Sequence, residues 1–172
     1  MTIPLLSTKF NVPISGSSFV HRQRLIKLLD DGINQSASVI LVSAPAGYGK
    51  TSLISDWINQ SPVINNNYVA WLTLDKSDDY LVGFLTYFIS AIQRIIPEFS
   101  AEILKAIQTH KSQSPEILAT LLINQINDAT HKTYLVLDDY HLISATPVHQ
   151  LMSFLIDHLP PQFCLIIITR SD

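Results

Sequence analysis

The sequence predicts an α/β fold in which helices cover both faces of a parallel β-sheet. Short apolar runs rich in β-branched residues alternate with longer segments of helical spacing along the 172 residues. This alternation is typical of parallel strands joined by helical crossovers. A second observation agrees with it, because small or polar residues that suit ligand binding follow three of the apolar runs. Parallel sheets bind their ligands at the carboxyl ends of the strands.

The predicted strands are Val39–Val42, Tyr68–Leu74, Tyr134–Leu137 and Phe163–Ile168. Helices are predicted to begin at His21, Lys50, Leu81 and Pro115, with a further helix after Thr146-Pro147 and a shorter one over Ala101–His110. The helix from Leu81 carries an apolar stripe that indicates the core, and Pro97 is expected to end it. Ser114 is expected to cap the helix that begins at Pro115, and Thr146-Pro147 to cap the last one.

The first predicted strand runs directly into a loop of small residues that fits a phosphate-binding loop, the P-loop or Walker A motif. Only the first position departs from the pattern, since Ala44 stands where glycine is usual. The strand before the loop and the helix after it supply the context that this motif requires. The predicted nucleotide-binding residues are Ala44, Pro45, Ala46, Gly47, Tyr48, Gly49, Lys50, Thr51 and Ser52.

The residue types in this loop suit a polyphosphate. Gly47 and Gly49 permit the positive φ angles that turn successive amides toward one point, and the following helix adds the positive end of its dipole there. Lys50 would reach the β- and γ-phosphates, and the Thr51 hydroxyl would be a ligand of the Mg²⁺ that bridges them. The alternative is an ordinary glycine-rich turn, in which Tyr48 simply shapes the loop.

Two carboxylates, Asp138 and Asp139, follow the third predicted strand in the form of a Walker B element. Asp138 would hold Mg²⁺ opposite Thr51, directly or through water. Asp139 is the candidate catalytic residue that polarises the attacking water. The alternative is that both acids cap a loop, and the role of Asp139 as the base stays open. The neighbouring Tyr140 and His141 are interpreted as packing or loop residues.

Arg170 follows the fourth predicted strand. A guanidinium there would donate to the γ-phosphate and so distinguish ATP from ADP, and the alternative is a plain surface arginine. The base is predicted to be adenine, because the sequence has no Asn-Lys-x-Asp run of the kind that reads guanine. The nearest run, Asp75–Asp78, follows the second predicted strand, which is the wrong one.

Composition narrows the class of protein. Hydrophobic residues make up 47% and charged residues 15%, with a net charge of −3 and a mean hydropathy of +0.25. No basic cluster is present, which argues against direct nucleic-acid binding by this chain. The longest apolar stretch, Leu81–Ile96, is too short for a membrane span. Cys164 is the only cysteine and no signal peptide is evident, so a reducing, cytoplasmic location is expected.

Five stretches resemble one known family in the same order along the chain. They are STKFNVP at 7–13, VHRQRL at 20–25, SAPAGYGKT at 43–51, LVLDDYHLI at 135–143 and IIITR at 166–170. They resemble the amino-terminal ATPase domain of MalT-like regulators, the large ATP-binding LuxR-type transcription activators of bacteria. That domain is a STAND-class NTPase related to AAA+ proteins. The resemblance therefore implies a three-layer P-loop NTPase fold.

The resemblance implies a switch rather than a metabolic enzyme. Proteins of this kind rest bound to ADP and exchange it for ATP after an inducer binds a helical-repeat sensor domain. They then self-associate, and slow hydrolysis resets them. Carried onto this chain, the adenine side falls at Val20 to Arg24, with Val20 and Arg24 as binding residues. The magnesium acid falls at Asp138 and the sensor arginine at Arg170.

The resemblance also implies a division of the chain. Residues 1–36 would form an N-terminal segment and first helix on the adenine side, and residues 37–172 the P-loop NTPase core. The family's fifth strand, lid, sensor repeats and DNA-binding helix-turn-helix are not found in the sequence. We therefore expect the chain to be a piece of a longer protein whose other domains are its partners. Without the lid, a weak Mg²⁺-dependent ATPase is expected.

Two other functions stay open at this point. A free-standing P-loop ATPase or small-molecule kinase would show fast turnover and a pocket for the acceptor. An interaction module that uses the fold without nucleotide is the third reading. The presence of Lys50, Thr51 and Asp138 together argues against that module, because a scaffold has no need of all three.

Overall fold

A computed structural model describes residues 4–14, 20–64, 68–99, 103–104 and 114–171 of the chain. The described strands form one parallel sheet in the order β1-β4-β3-β2. Strand β4 therefore lies between β1 and β3, and the predicted parallel sheet is confirmed. The strands are β1 (Val39–Ser43), β2 (Val69–Thr73), β3 (Thr133–Asp138) and β4 (Phe163–Thr169).

The described helices pack on both faces of this sheet. They are α1 (Gln23–Asn34), α2 (Lys50–Gln60), α3 (Leu81–Gln93), α4 (Pro115–Asn127) and α5 (Thr146–Asp157). Successive side chains of a strand point to opposite faces, so Leu135 and Leu137 join a cluster with α3, α4 and α5. Tyr134 and Val136 join a second cluster with α1 and α2. This is the predicted three-layer arrangement.

The apolar stripe of α3 is part of the core, as predicted. Phe84, Leu85, Phe88 and Ile92 are all fully buried. The helix ends at Gln93, earlier than expected, and the chain continues in a turn in which the Ile95 amide donates to Ile92. The turn comes before the proline because proline disfavours the helical conformation at the residue that precedes it.

Two helix starts differ from the sequence predictions. Helix α1 begins at Gln23 rather than His21, because Arg22 has non-helical φ and ψ angles of −107° and 70°. Thr146 is the first residue of α5 rather than its cap, and the cap position is held by Ala145. The cap predicted at Ser114 is confirmed, since its side chain accepts from the Ile117 amide.

One predicted element cannot be followed through the structure. The helix expected over Ala101–His110 lies outside the described residues apart from Ile103 and Leu104. Within the described ranges, no helix combines the length and apolar character that crossing a membrane requires.

The N-terminal segment contains a short 3-10 helix at Ser7–Phe10 that is anchored by a buried ion pair. The Lys9 ammonium lies 2.7 and 2.8 Å from the two carboxylate oxygens of Asp78 and 2.8 Å from Asp75. The side chains of Lys9 and Asp78 are only 6% and 1% exposed. Each charge therefore depends on the other for the solvation that water would otherwise supply.

We predict that Lys9→Ala lowers the free energy of unfolding by about 3 kcal/mol, because it leaves the buried Asp78 carboxylate without its partner. Urea denaturation measures the loss. The matched control is Lys76→Ala, which removes an exposed lysine from the same region and is expected to have little effect. Equal stabilities of the two variants would show that the ion pair does not anchor the segment.

Candidate functional site

The loop after β1 is shaped by two glycines in the left-handed region. Gly47 has a φ of +81° and Gly49 a φ of +71°, and Gly49 is also the N-cap residue of α2. The first amides of α2 have no partners within the helix and carry the positive end of its dipole. Lys50, Thr51 and Ser52 lie in this first turn. The loop and the helix start together form a site that favours an anion.

The Lys50 side chain is folded back over the loop. Its ammonium donates to the carbonyl oxygens of Ala44 at 2.7 Å and Pro45 at 3.0 Å. These bonds hold a full positive charge beside the exposed loop residues 45–48 without burying it. A phosphate bound at the first turn of α2 would meet that charge directly.

A side-chain hydrogen bond links the loop helix to β3. The Thr51 hydroxyl donates to Oδ1 of Asp138 at 3.0 Å, and the Asp139 amide donates to the same oxygen at 2.9 Å. Asp138 is only 2% exposed. Its Oδ2 atom accepts no hydrogen bond from the described residues. One carboxylate oxygen and one hydroxyl, both hard ligands, thus face each other at the end of the sheet.

Burial raises the pKa of the Asp138 carboxyl to about 6, from an ordinary value of 3.8. The nearby charge of Asp139 contributes to this rise, while hydrogen bonds from the Thr51 hydroxyl and the Asp139 amide and the charge of Lys50 partly oppose it. A buried carboxylate with incomplete compensation is a poor structural element and a good ligand for a cation. The oxygen donors fit Mg²⁺, which needs few protein ligands and keeps several waters.

Asp139 has a strained backbone conformation. Its φ is +58°, and its side chain is 39% exposed at the end of β3. The Nδ1 atom of His141 lies 3.8 Å from Oδ1 of Asp139 and has no hydrogen-bond partner among the described residues. The 3-10 turn Tyr140–Leu142 directly follows this left-handed residue and places the His141 imidazole beside the Asp139 carboxylate. The two side chains form a pair that can orient a water molecule.

Arg170 lies at the end of β4, between the strands that carry the loop and the two acids. It is exposed, and the residue after it is tied to the loop because the Ser171 amide donates to the carbonyl of Ala44 at 3.4 Å. The guanidinium therefore belongs to the same edge of the sheet as Lys50 and Asp138.

A mostly apolar cavity of about 360 Å³ adjoins the loop on the side of β1. Arg22, just before α1, enters this region and donates to the carbonyl of Tyr48 at 3.0 Å. Val20 and Arg24, the residues predicted to bind the base, are exposed and do not line the cavity. Its lining residues are Arg22, Leu25, Leu28, Leu29, Leu41, Val42, Ser43, Ala44, Tyr48, Lys50 and Leu53.

A second cavity, of about 320 Å³, lies at the opposite edge of the sheet, where β2 and β3 begin. Tyr68 and His131 stack in its wall with ring centroids 4.5 Å apart. None of the polar side chains that follow the strands lines it. This cavity is therefore separate from the polar cluster described above.

Comparison with known proteins agrees with this geometry. The family model described as the AAA ATPase domain matches residues 18–168. This chain is an AAA ATPase domain. It is 32% identical over 167 residues to the HTH-type transcriptional regulator MalT of Klebsiella pneumoniae (strain 342), and the alignment covers 97% of the chain and 18% of that regulator. MalT of Yersinia pestis (strain Pestoides F) gives the same figures.

The comparison confirms the resemblance that the sequence motifs indicated. The AAA ATPase domain is a nucleotide-binding domain, and its P-loop fold is the one predicted. The chain spans 18% of the length of the MalT proteins that it matches.

Two residues that lie beside the predicted site were not among the residues that the sequence singled out. Arg22 lies within the predicted adenine-side segment, Val20 to Arg24, but only the two ends of that segment were named as binding residues, whereas Arg22 lines the cavity. His141 was interpreted as a packing or loop residue, and the structure places its Nδ1 atom 3.8 Å from the Asp139 carboxylate. Its position two residues after the second acid, in a tight turn, is the signal that would have identified it.

The raised pKa of Asp138 gives a testable dependence of stability on pH. The folded domain binds the Asp138 proton more tightly than the unfolded chain does. Protonation of Asp138 therefore stabilises the fold, and this contribution is complete below a pH of about 4. It is lost as the pH rises through the folded-state pKa of about 6. The ionised carboxylate therefore destabilises the domain without ligands at neutral pH.

We predict that Asp138→Asn raises the free energy of unfolding by about 1 to 3 kcal/mol near neutral pH, with a gain that shrinks as the pH falls toward about 4. Urea denaturation across this range measures it. Asp157→Asn, which changes an exposed acid of α5, is the control. A variant less stable than the wild type throughout the pH range would contradict the assignment of a buried, destabilising charge.

Proposed function

We propose that this domain binds ATP and ADP and switches a LuxR-type transcription regulator by nucleotide exchange and slow hydrolysis. The observation that carries the proposal is the hydrogen bond between Thr51 and Asp138, which brings the P-loop helix and the Walker B strand together. Arg170 on the intervening strand completes a row of groups suited to a polyphosphate with its metal ion.

The nucleotide is proposed to lie along the carboxyl edge of the sheet. Its β-phosphate accepts from the amides of the loop and the first turn of α2, beside the Lys50 ammonium. Its base occupies the apolar cavity between α1 and β1, where Arg22 and Tyr48 border a space lined by leucines. An apolar cavity with few polar groups suits a flat purine, and adenine remains the proposed base.

Thr51 and Asp138 are proposed to hold Mg²⁺ between them, in place of their direct hydrogen bond. The ion, when bound, would neutralise charge that develops on the phosphate oxygens. Asp139 would then polarise the attacking water, beside the His141 imidazole, whose Nδ1 atom lies 3.8 Å from the Asp139 carboxylate. These roles assign a separate task to each of the two acids.

Arg170 is proposed to read the third phosphate. Arg170 lies at the end of β4, and the residue after it is bound to the loop because the Ser171 amide donates to the carbonyl of Ala44. A guanidinium there donates to the γ-phosphate of ATP and has no such partner in ADP, so the two nucleotides would place the β4 end differently. This difference is the proposed origin of the switch, which the remaining domains of a longer regulator would convert into self-association and DNA binding.

Calorimetry with ATP, ADP and GTP in the presence of Mg²⁺ tests nucleotide binding. Adenine nucleotides should bind, and Lys50→Ala should weaken their binding by at least about tenfold because a charge-assisted phosphate contact is lost. Lys76→Ala removes a lysine of the same charge that is remote from the loop and should bind normally. Equal affinities of the two variants, at equal folded fractions, would contradict the proposed phosphate site.

We predict that Asp139→Asn slows ATP hydrolysis by at least about 100-fold while leaving the dissociation constants of ATP and ADP unchanged. Asparagine tolerates the left-handed conformation that this position requires, so the loss reflects the missing charge. Phosphate release measures the rate, and Asp128→Asn, an exposed acid before β3, is the control. Unchanged hydrolysis would remove Asp139 from the mechanism, and fast turnover by the wild type would favour a metabolic ATPase over a switch.

A further inference from the structure

Asp79 makes a set of long-range hydrogen bonds that neither the sequence motifs nor the proposed nucleotide contacts explain. Its Oδ1 atom accepts from the amides of Ser144 and Ala145, both at 2.7 Å. Its Oδ2 atom accepts from the Ser144 hydroxyl at 2.5 Å. These donors hold the pKa of the Asp79 carboxyl below its ordinary value, with the Ser144 hydroxyl as the first cause. The carboxylate of one loop thus binds the backbone of another.

The groups that donate to Asp79 lie at the start of α5. Ala145 occupies the cap position and has no side-chain oxygen to satisfy the free amides there. Asp79 accepts from the amides of the two residues that precede the helix, Ser144 and Ala145, and places a negative charge near the positive end of the helix dipole. The start of α5 is therefore held by the loop that follows β2.

The segment fixed in this way carries two residues of the proposed active site. At one end β3 is bound into the sheet, where the Leu74 amide donates to the carbonyl of Asp138. At the other end Asp79 binds Ser144. Only a tight turn lies between these anchors, and in it the Leu142 amide donates to Asp139 at 3.0 Å. A shift of Ser144 would therefore move Asp139 and the adjoining His141.

Asp79 is itself held in place. The short 3-10 helix Lys76–Asp78 directly precedes it, and Asp78 is bound on both oxygens by the buried Lys9 ammonium. The Asp78 carboxylate also accepts from the Asp75 amide at 2.8 Å, which closes the loop on itself. Asp79 is thus presented from a rigid base, as a positioning group must be.

We propose that Asp79 is a positioning residue for ATP hydrolysis, acting on Asp139 and His141 through the backbone of Ser144 and Ala145. The inference rests on the proposed function, because it assumes that Asp139 and His141 serve hydrolysis. It differs from a purely structural role, in which Asp79 would only cap α5 and its loss would lower stability alone.

The test compares Asp79→Ala with Asp79→Asn. Asparagine keeps an oxygen that accepts from both amides and a side-chain amide that can donate to the Ser144 hydroxyl, whereas alanine keeps neither. Ser114→Ala is the matched control, because it removes the N-cap of α4, away from the acids of β3. All variants are assayed for ATP hydrolysis, for ADP binding by calorimetry and for amide hydrogen exchange, at a temperature where each is folded.

The expected result is a split between turnover and binding. In Asp79→Ala the kcat falls by at least about tenfold, while the dissociation constant of ADP stays within about twofold of the wild type. The amides of Ser144 and Ala145 lose their protection from exchange. Asp79→Asn stays close to the wild type in all three measurements. Ser114→Ala melts at a lower temperature but hydrolyses ATP at the wild-type rate.

Two results would overturn the proposal. One is a normal rate of ATP hydrolysis by Asp79→Ala although the amides of Ser144 and Ala145 have lost their protection from exchange. The other is an equal loss of hydrolysis in Ser114→Ala, which would indicate general destabilisation. Absence of turnover in the wild type would instead contradict the proposed hydrolysis. The NMR signals of the His141 ring then decide the positioning, because they should shift in Asp79→Ala and not in Asp79→Asn, and unchanged signals in both would overturn it.

Discussion

The hydrogen bond from Thr51 to Asp138 is the contact on which the rest of the site depends. It joins the first turn of a helix that follows an edge strand to the end of a strand two positions away in the sheet. Strand β4 lies between these two strands. The gap is spanned by the loop after β1, which turns at Gly47 and Gly49. The same contact keeps a buried carboxylate next to a hydroxyl, where a divalent cation would replace their bond with two stronger ones.

Stability and function make opposite demands on this edge of the sheet. A carboxylate that is 2% exposed with a pKa raised to about 6 weakens the domain at neutral pH. The left-handed backbone of Asp139 adds strain. The described fold offsets these costs with two apolar clusters and with polar anchors such as Lys9–Asp78, which lie away from the loop. Sites held in such conformations are typical of ligand binding and catalysis.

Local chemistry explains what the sequence could predict. The P-loop, the paired acids and the arginine are contiguous motifs whose spacing indicates both the strand-loop-helix context and the site. No local stretch of the sequence encodes the order of the strands in the sheet, although the polar residues that follow β1, β3 and β4 suggested one shared edge. Arg22 was not singled out because the resemblance gives only a segment, Val20 to Arg24, and which side chain of that segment lines the cavity depends on its three-dimensional packing. The Asp79–Ser144 contact spans 65 positions, and no local pattern encodes it.

An NMR titration of the ¹⁵N-labelled chain with ADP and Mg²⁺ tests the central claim most directly, because it locates the nucleotide without requiring turnover. The account predicts that the largest amide shifts fall at 44–52, at Asp138 to His141 and around Arg170. Smaller shifts are predicted at Arg22 and Leu41, beside the apolar cavity. Shifts confined to the separate cavity near Tyr68 and His131, or no saturable shifts in the folded chain, would contradict a phosphate site at the carboxyl edge of the sheet.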